Sequence, residues 1–282
     1  MNPHEAEVLI ADVDNTMLPF MSSFLQPAVT AGAARIARLF HMNVKQMVQF
    51  LAPTMDRHGH DNPWLIELSG LRERFVGSDD LFIDLVVRPF WKAWDKAAET
   101  CGHAYPGVAR TLQTVAEHGK LAYALSNGRD FCVLQRLKAA GLSQHLQAVA
   151  AVRVFNKGGF DTTVYRERRA RILAANADVD LIVLEDCASK PSGVGLLTIM
   201  ERASADVDDC VFTGDALELD GAAAAAVGMP FVWMANGGVF VTHDFDAMYA
   251  KAPEKRPRHN LSVPVRHEAH CFEELLTFLS VV

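Results

Sequence analysis

Five short apolar runs decide what this chain can become. Val8–Ala11, Leu121–Leu125, Leu181–Leu184, Cys210–Thr213 and Phe231–Met234 are apolar at consecutive positions rather than at every second one. A strand with one wet face alternates, whereas a strand buried on both faces does not, and such strands build parallel sheets covered by helices. Helical patterns fill the intervals: Ala109–His118, Asp130–Ala140, Gly193–Ala203, Gly221–Val227 and Phe272–Leu279. The alternation predicts an α/β fold with a parallel sheet sandwiched between helices.

Two segments break the rhythm. Residues 17–104 hold helical stretches at Ala28–Leu39, Val44–Leu51 and Leu81–Thr100 with few strand signals, as a helical insert would. Residues 144–180 read as a strand in "AVAAVRVF", a turn in "NKGGFD" and a charged-faced helix in "VYRERRARILAANA".

At 282 residues, 50% hydrophobic and 22% charged, the chain has room for one large α/β domain and a smaller one. A net charge of -7 leaves no broad basic field for phosphate backbones, so nucleic acid is not expected as a partner. The basic stretch "KAPEKRPRH" at 251–259 holds two prolines and reads as a solvated loop. Cys101, Cys132, Cys187, Cys210 and Cys271 are dispersed without a CxxC pair, which fits a reducing cytoplasm. Pro3, His4, Glu5 and Glu7 do not make a signal peptide, and the apolar stretch "GAAAAAVGM" at 221–229 is too short for a bilayer, so no membrane association is expected.

The polar residues fall where the strands end. The first strand runs into Asp12-Val13-Asp14, the second into Ser126-Asn127-Gly128, and "CVFT" into Gly214-Asp215 with Asp220 just beyond. In open α/β sheets ligands bind beyond the carboxyl ends of the strands. Neighbouring strands lie about 4.8 Å apart, so these ends can share a ligand. Residues two apart on an extended chain point the same way, which presents Asp12 and Asp14 together. Carboxylates gathered in one crevice raise each other's pKa unless a cation neutralises them, and all-oxygen ligands suit Mg2+. Lys190, in "ASKPSG", adds a second positive charge. A cation, a lysine, a hydroxyl and a carboxylate nucleophile are the parts of phosphoryl transfer.

Asp12-Val13-Asp14-Asn15-Thr16, then Ser126-Asn127, then Lys190-Pro191, then Gly214-Asp215 with Asp220, resembles the four motifs of the haloacid dehalogenase-like hydrolases. "YPGV" at 105–108 and "DGAAAAAVGMPFVWM" at 220–234 are similar to segments that flank those motifs. The resemblance implies a Rossmann-like three-layer core from residues 1–16 and 105–282, with a mostly helical cap from 17–104. It implies Asp12 as the nucleophile that forms an aspartyl-phosphate, and Asp14 as the acid and base. Ser126 and Lys190 would hold the phosphoryl oxygens, while Thr16, Asn127, Gly128 and Arg129 would line the substrate side. Asp12, the main-chain carbonyl of Asp14, Asp215 and Asp220 would bind Mg2+.

In this family the true dehalogenases lack an acid matching Asp14, because halide departs without a proton. Asp14 therefore points to a Mg2+-dependent phosphatase acting on a small phosphorylated metabolite. A phosphotransferase or mutase would use the same motifs, and a binding protein on the same fold is a third reading. Signalling receivers also phosphorylate an aspartate, but on a later strand than the acidic pair, the reverse of the order here.

Several positions stay open. Ser126 and Lys190 are far apart for the family, as if 144–180 were an insertion, and Lys157 in "FNKGGF" rivals Lys190; the following proline and the spacing to Asp215 favour Lys190. Glu218 competes with Asp220 within "GDALELD". "DVDNTM" starts like a calcium loop, but Met17 stands where an EF-hand needs glycine. "RHGHD" at 57–61 reads as a solvated loop before a metal cluster or a substrate-reading cap loop, Arg72 and Arg74 as surface charges, and Trp91 and Trp94 as cap core. The sequon Asn260-Leu261-Ser262 carries little weight without a secretory signal.

Overall fold

The computed structural model of the chain describes residues 6–153, 160, 162–235 and 265–281. Seven strands form one sheet in the order β4-β3-β2-β1-β5-β6-β7. They are β1 (Val8–Ala11), β2 (Leu121–Arg129), β3 (Ala148–Val152), β4 (Asp180–Leu184), β5 (Cys210–Gly214), β6 (Phe231–Met234) and β7 (Val265–Ala269). Every pairing is parallel. β1 is central and wholly buried, which is why it is apolar without alternation. Ala11 stands level with Ala124 on β2 and Thr213 on β5, so three strand ends open onto one crevice.

The sheet divides the core in two. Leu9 and Ala11 pack with Val108, Leu112 and Val115 of α7 (Val108–Glu117) and with Val133, Leu134 and Leu137 of α8 (Asp130–Ala139). Val8 and Ile10 face the other way, onto Leu196 and Ile199 of α10 (Val194–Ala203) and Ala223 and Ala224 of α11 (Ala222–Val227). The result is a three-layer, Rossmann-like α/β fold.

Between β1 and α7 the chain is helical. It forms α1 (Gln26–Ile36), α2 (Val44–His58), the single turns α3 (Leu65–Leu68), α4 (Leu71–Arg74) and α5 (Asp79–Phe82), and the long α6 (Arg88–Cys101). Asn43 and Gln46 start α2 with a reciprocal capping box, each side chain accepting the other's backbone N–H at 2.9 Å. This unit has its own core, in which Phe24, Phe90, Trp91 and Trp94 meet, the two indoles 5.2 Å apart. Arg72 pairs with Asp79, and Arg74 lies over the Phe50 ring, both within the helical unit.

Residues 144–180 contribute regular layers to the sheet. β3, α9 (Thr163–Ala175) and β4 make one further strand–helix–strand unit at the edge, β3 pairing in parallel with β2 on one side and β4 on the other. The long interval between Ser126 and Lys190 is this unit. The "NKGGF" turn with Lys157, the basic stretch 251–259 and the sequon 260–262 lie outside the described residues.

Three elements differ from the sequence expectation. β4, read from its apolar run as buried on both faces, is an edge strand in which Leu184 is buried but Val183 is 42% exposed, because only β3 and no second strand flanks it. β2 runs on through Ser126 to Arg129, with a register shift against β3 after Ser126. β7 was not anticipated, because "VRHEA" at the sheet margin lacks the apolar run of a buried strand. Among the described residues no helix is long and apolar enough to cross a membrane.

Candidate active site

Asp12 is the first residue beyond β1, 5% exposed, and its N–H extends the ladder by donating to the Thr213 carbonyl at 2.9 Å. The chain then turns sharply. Met17 and Leu18 N–H groups both donate to the Val13 carbonyl at 3.0 Å, and Asn15 takes φ of +65°, a left-handed conformation that asparagine tolerates better than most residues. Asn15, whose N–H donates to the Leu18 carbonyl at 2.7 Å, thus turns the chain directly after Asp14.

Across the crevice, Asp12, Asp215 and Asp220 each offer a carboxylate oxygen, all within 4.8 Å of one another. An all-oxygen, triply acidic donor set fits a hard divalent cation. Asp215 follows β5, and its carbonyl accepts the Trp233 indole N–H at 3.0 Å. Asp220 is 1% exposed and reaches in over Gly214; a Cβ at Gly214 would lie 2.4 Å from the Asp220 Cγ. Glu218 is exposed, so of the two rivals the structure brings Asp220 to the site.

Lys190 arrives from the start of the segment that leads into α10. Its Nζ contacts Asp12 Oδ1, lies 2.6 Å from Asp220 Oδ1 and donates to the Leu125 carbonyl at 3.3 Å. Burial works against the ammonium, but Asp12 and Asp220 outweigh it and hold the Lys190 pKa above the ordinary lysine value. Asn127 fixes this lysine: its Nδ2 donates to the Lys190 carbonyl at 2.9 Å and its Oδ1 accepts the Lys190 N–H at 2.8 Å. Asn127, expected from the sequence to touch substrate, spends both ends of its amide on the lysine backbone.

Ser126 is 2% exposed, and its Oγ accepts the Gly128 N–H at 2.9 Å. Gly128 leaves room for a neighbour, since a Cβ there would meet Arg136 Nη2 only 2.5 Å away. Thr16 is 2% exposed, and its Oγ1 has no hydrogen-bond partner among the described residues. Arg129 sits at the seam with the helical unit. Its N–H donates to Asp61 Oδ2 at 3.2 Å, and its guanidinium lies 3.8 Å from Asp186.

Asp14 is the titratable centre of this seam. Its Oδ2 accepts from Arg136 Nη2 at 2.7 Å, while Oδ1 is buried with no hydrogen bond among the described residues. Burial pushes its pKa up to about 6; Arg136 opposes the rise and Asp12 adds to it. A carboxyl poised near neutrality is suited to both giving and taking a proton.

Arg136 and Asp61 were not singled out as site residues by sequence. Asp61 closes the "RHGHD" loop read as solvated, yet it accepts both the Arg129 N–H and, at 3.2 Å, Arg136 Nη1. Its neighbour His60 packs edge-on to Phe20, and burial lowers its pKa. Arg136 lies within a stretch of α8, residues 130–137, that is buried throughout, where an arginine needs an anion.

Residues 187–260 match the HAD-hydrolase-like family model, HAD denoting haloacid dehalogenase-like. No curated protein matches the chain in sequence. Among solved structures, a 2-haloacid dehalogenase from Pseudomonas syringae pv. Tomato DC3000 is 16% identical over 98% of both chains, with a TM-score of 0.56. A HAD phosphatase from Thermococcus onnurineus is 16% identical over 97% of both, with a TM-score of 0.54. A magnesium-bound HAD-hydrolase from Bacillus subtilis is 16% identical over 98% of this chain and 99% of its own, with a TM-score of 0.50. At such identities the likeness is one of fold. Residues 187–260 are thus similar to a haloacid dehalogenase-like family model, and the parallel Rossmann-like sheet with its helical insert is the fold these solved hydrolases share.

Proposed function

We propose that the chain is a Mg2+-dependent phosphatase that hydrolyses a small phosphorylated metabolite through phospho-Asp12. The fold serves dehalogenases and phosphatases alike, so one observation carries the choice: a second acid, Asp14, stands beside Asp12 with one oxygen held by Arg136 and the other unengaged. A halide needs no proton on leaving; an alkoxide does.

The steps follow from the chain's own groups. An Asp12 carboxylate oxygen forms a bond to phosphorus as the ester P–O bond breaks, and Asp14 Oδ1 gives its proton to the departing oxygen. The alcohol leaves and water enters. Asp14 then takes a proton from that water as its oxygen displaces Asp12 from phosphorus, which releases phosphate and restores both carboxyl groups. Lys190, Ser126 and Thr16 are the groups for the non-bridging phosphoryl oxygens; the buried, unpartnered Thr16 hydroxyl has a free bond to offer. Asp12, Asp215 and Asp220, with the Asp14 carbonyl, would hold Mg2+, which when bound neutralises charge on the phosphoryl oxygens.

Phosphate release from p-nitrophenyl phosphate with Mg2+ tests the proposal. Chelating the metal should abolish turnover, and so should Asp12→Asn; an Asp12→Asn protein with full activity would sink the scheme.

A further inference from the structure

Arg136 lies on α8 of the core, 1% exposed, where an arginine is costly unless its charge is met on every side. It is met from two directions. From the core, Asp14 Oδ2 accepts Nη2 at 2.7 Å. From the cap, Asp61 Oδ2 accepts Nη1 at 3.2 Å, and the Phe20 and Phe24 rings cover the guanidinium with centroids 5.1 and 4.8 Å from Cζ. Asp61 has a second hold on the core through the Arg129 N–H. The guanidinium that restrains Asp14 is therefore the same group on which the cap docks.

From this geometry we infer that Arg136 is a positioning residue that aims Asp14 Oδ1 at the leaving oxygen, and that it holds this aim only while Asp61 keeps the cap docked. The planar fork is essential, because its two ends serve the two aspartates in one plane. Gly128 clears the space, since any Cβ there would strike Nη2. Withdrawing the cap removes Asp61, Phe20 and Phe24 from the guanidinium together and leaves it held by Asp14 alone among these contacts. Proton delivery is thereby tied to closure. The inference rests on the phosphatase reading.

The test compares kcat/KM for two esters of similar shape, phenyl phosphate and p-nitrophenyl phosphate, in wild type, Arg136→Lys and Asp61→Asn. This parameter reports steps up to loss of the alcohol, and nitrophenolate departs with little help from an acid. If Arg136 aims the proton donor, each variant should lose about tenfold more on phenyl phosphate than on p-nitrophenyl phosphate. A merely structural lesion lowers both by the same factor, and that outcome, or no loss, overturns the inference while wild-type activity stands. Asp61→Asn keeps the Asp14–Arg136 pair and carries the comparison if Arg136→Lys does not fold. A wild-type protein that cleaves neither ester overturns the phosphatase reading, and this inference with it.

Discussion

The Asn127 side chain and the Lys190 backbone, 63 residues apart, exchange two hydrogen bonds of 2.9 and 2.8 Å. The strand end that carries Ser126 thereby sets the position of the lysine that meets Asp12. Asn127→Ala should lower kcat/KM by about a hundredfold through misplacement of Lys190, with a much smaller effect on folding. Steady-state kinetics beside thermal melts check this; a large loss of Tm with unchanged kinetics would contradict it.

Lys190 stands between Asp12 and Asp220, with all three side chains under a tenth exposed. Lys190→Met removes the cation and leaves two buried carboxylates facing each other. Urea unfolding without metal should show a loss of about 3–5 kcal/mol. Mg2+ should restore part of it, because a bound cation replaces the missing charge.

A second buried pair joins the long helix α6 to α9. Asp95, 1% exposed on α6, accepts from Arg168 of α9 through Nε at 3.0 Å and Nη2 at 2.8 Å. Asp95→Asn strands a buried guanidinium and should cost about 3–5 kcal/mol in urea unfolding. Arg171 also pairs with Asp95 but is half exposed, so Arg171→Ala should cost less than about 1 kcal/mol. Equal losses would contradict the assignment of Arg168 as the structural partner.

Asp61 gives the fold a pH dependence of defined sign. Burial alone would raise its pKa, but Arg136 and Arg129 overcome this and hold it below the ordinary 3.8. A carboxyl depressed on folding contributes stability that is present above the unfolded pKa and lost as pH falls through the folded one. Asp61→Asn should therefore melt below wild type at neutral pH, with the gap steady down to about pH 5 and closing below about pH 4. A gap that stays constant into acid would show that the charge of Asp61 is not what docks it.

The inner strands and the crevice at their ends were legible for one reason. Val8–Ala11 and Cys210–Gly214 are buried on both faces, so their apolar runs are unbroken and the first polar residue marks the crevice. Asp12, Ser126 and Asp215 follow from that alone. The Asp61–Arg136 contact did not, because it spans 75 residues and joins the helical unit to α8. Neither residue shows its partner in local sequence, although an arginine within the wholly buried part of α8 requires some anion to meet it. The bonds of the Asn127 side chain were hidden for a similar reason: its type and position suit a ligand, and only the fold shows that it exchanges two hydrogen bonds with the Lys190 backbone. β7 stayed hidden because an edge strand needs no apolar run.

In the proposed reaction Asp12 carries the phosphoryl group while Asp14 moves protons. Asp14→Asn incubated with p-nitrophenyl phosphate and Mg2+, quenched in acid and digested, tests it by mass spectrometry of the peptide that bears Asp12. Nitrophenolate leaves without an acid, but water lacks its base, so a phosphoryl adduct on Asp12 should accumulate. Release of nitrophenolate with no adduct on Asp12, or with the adduct on another residue, would contradict the account.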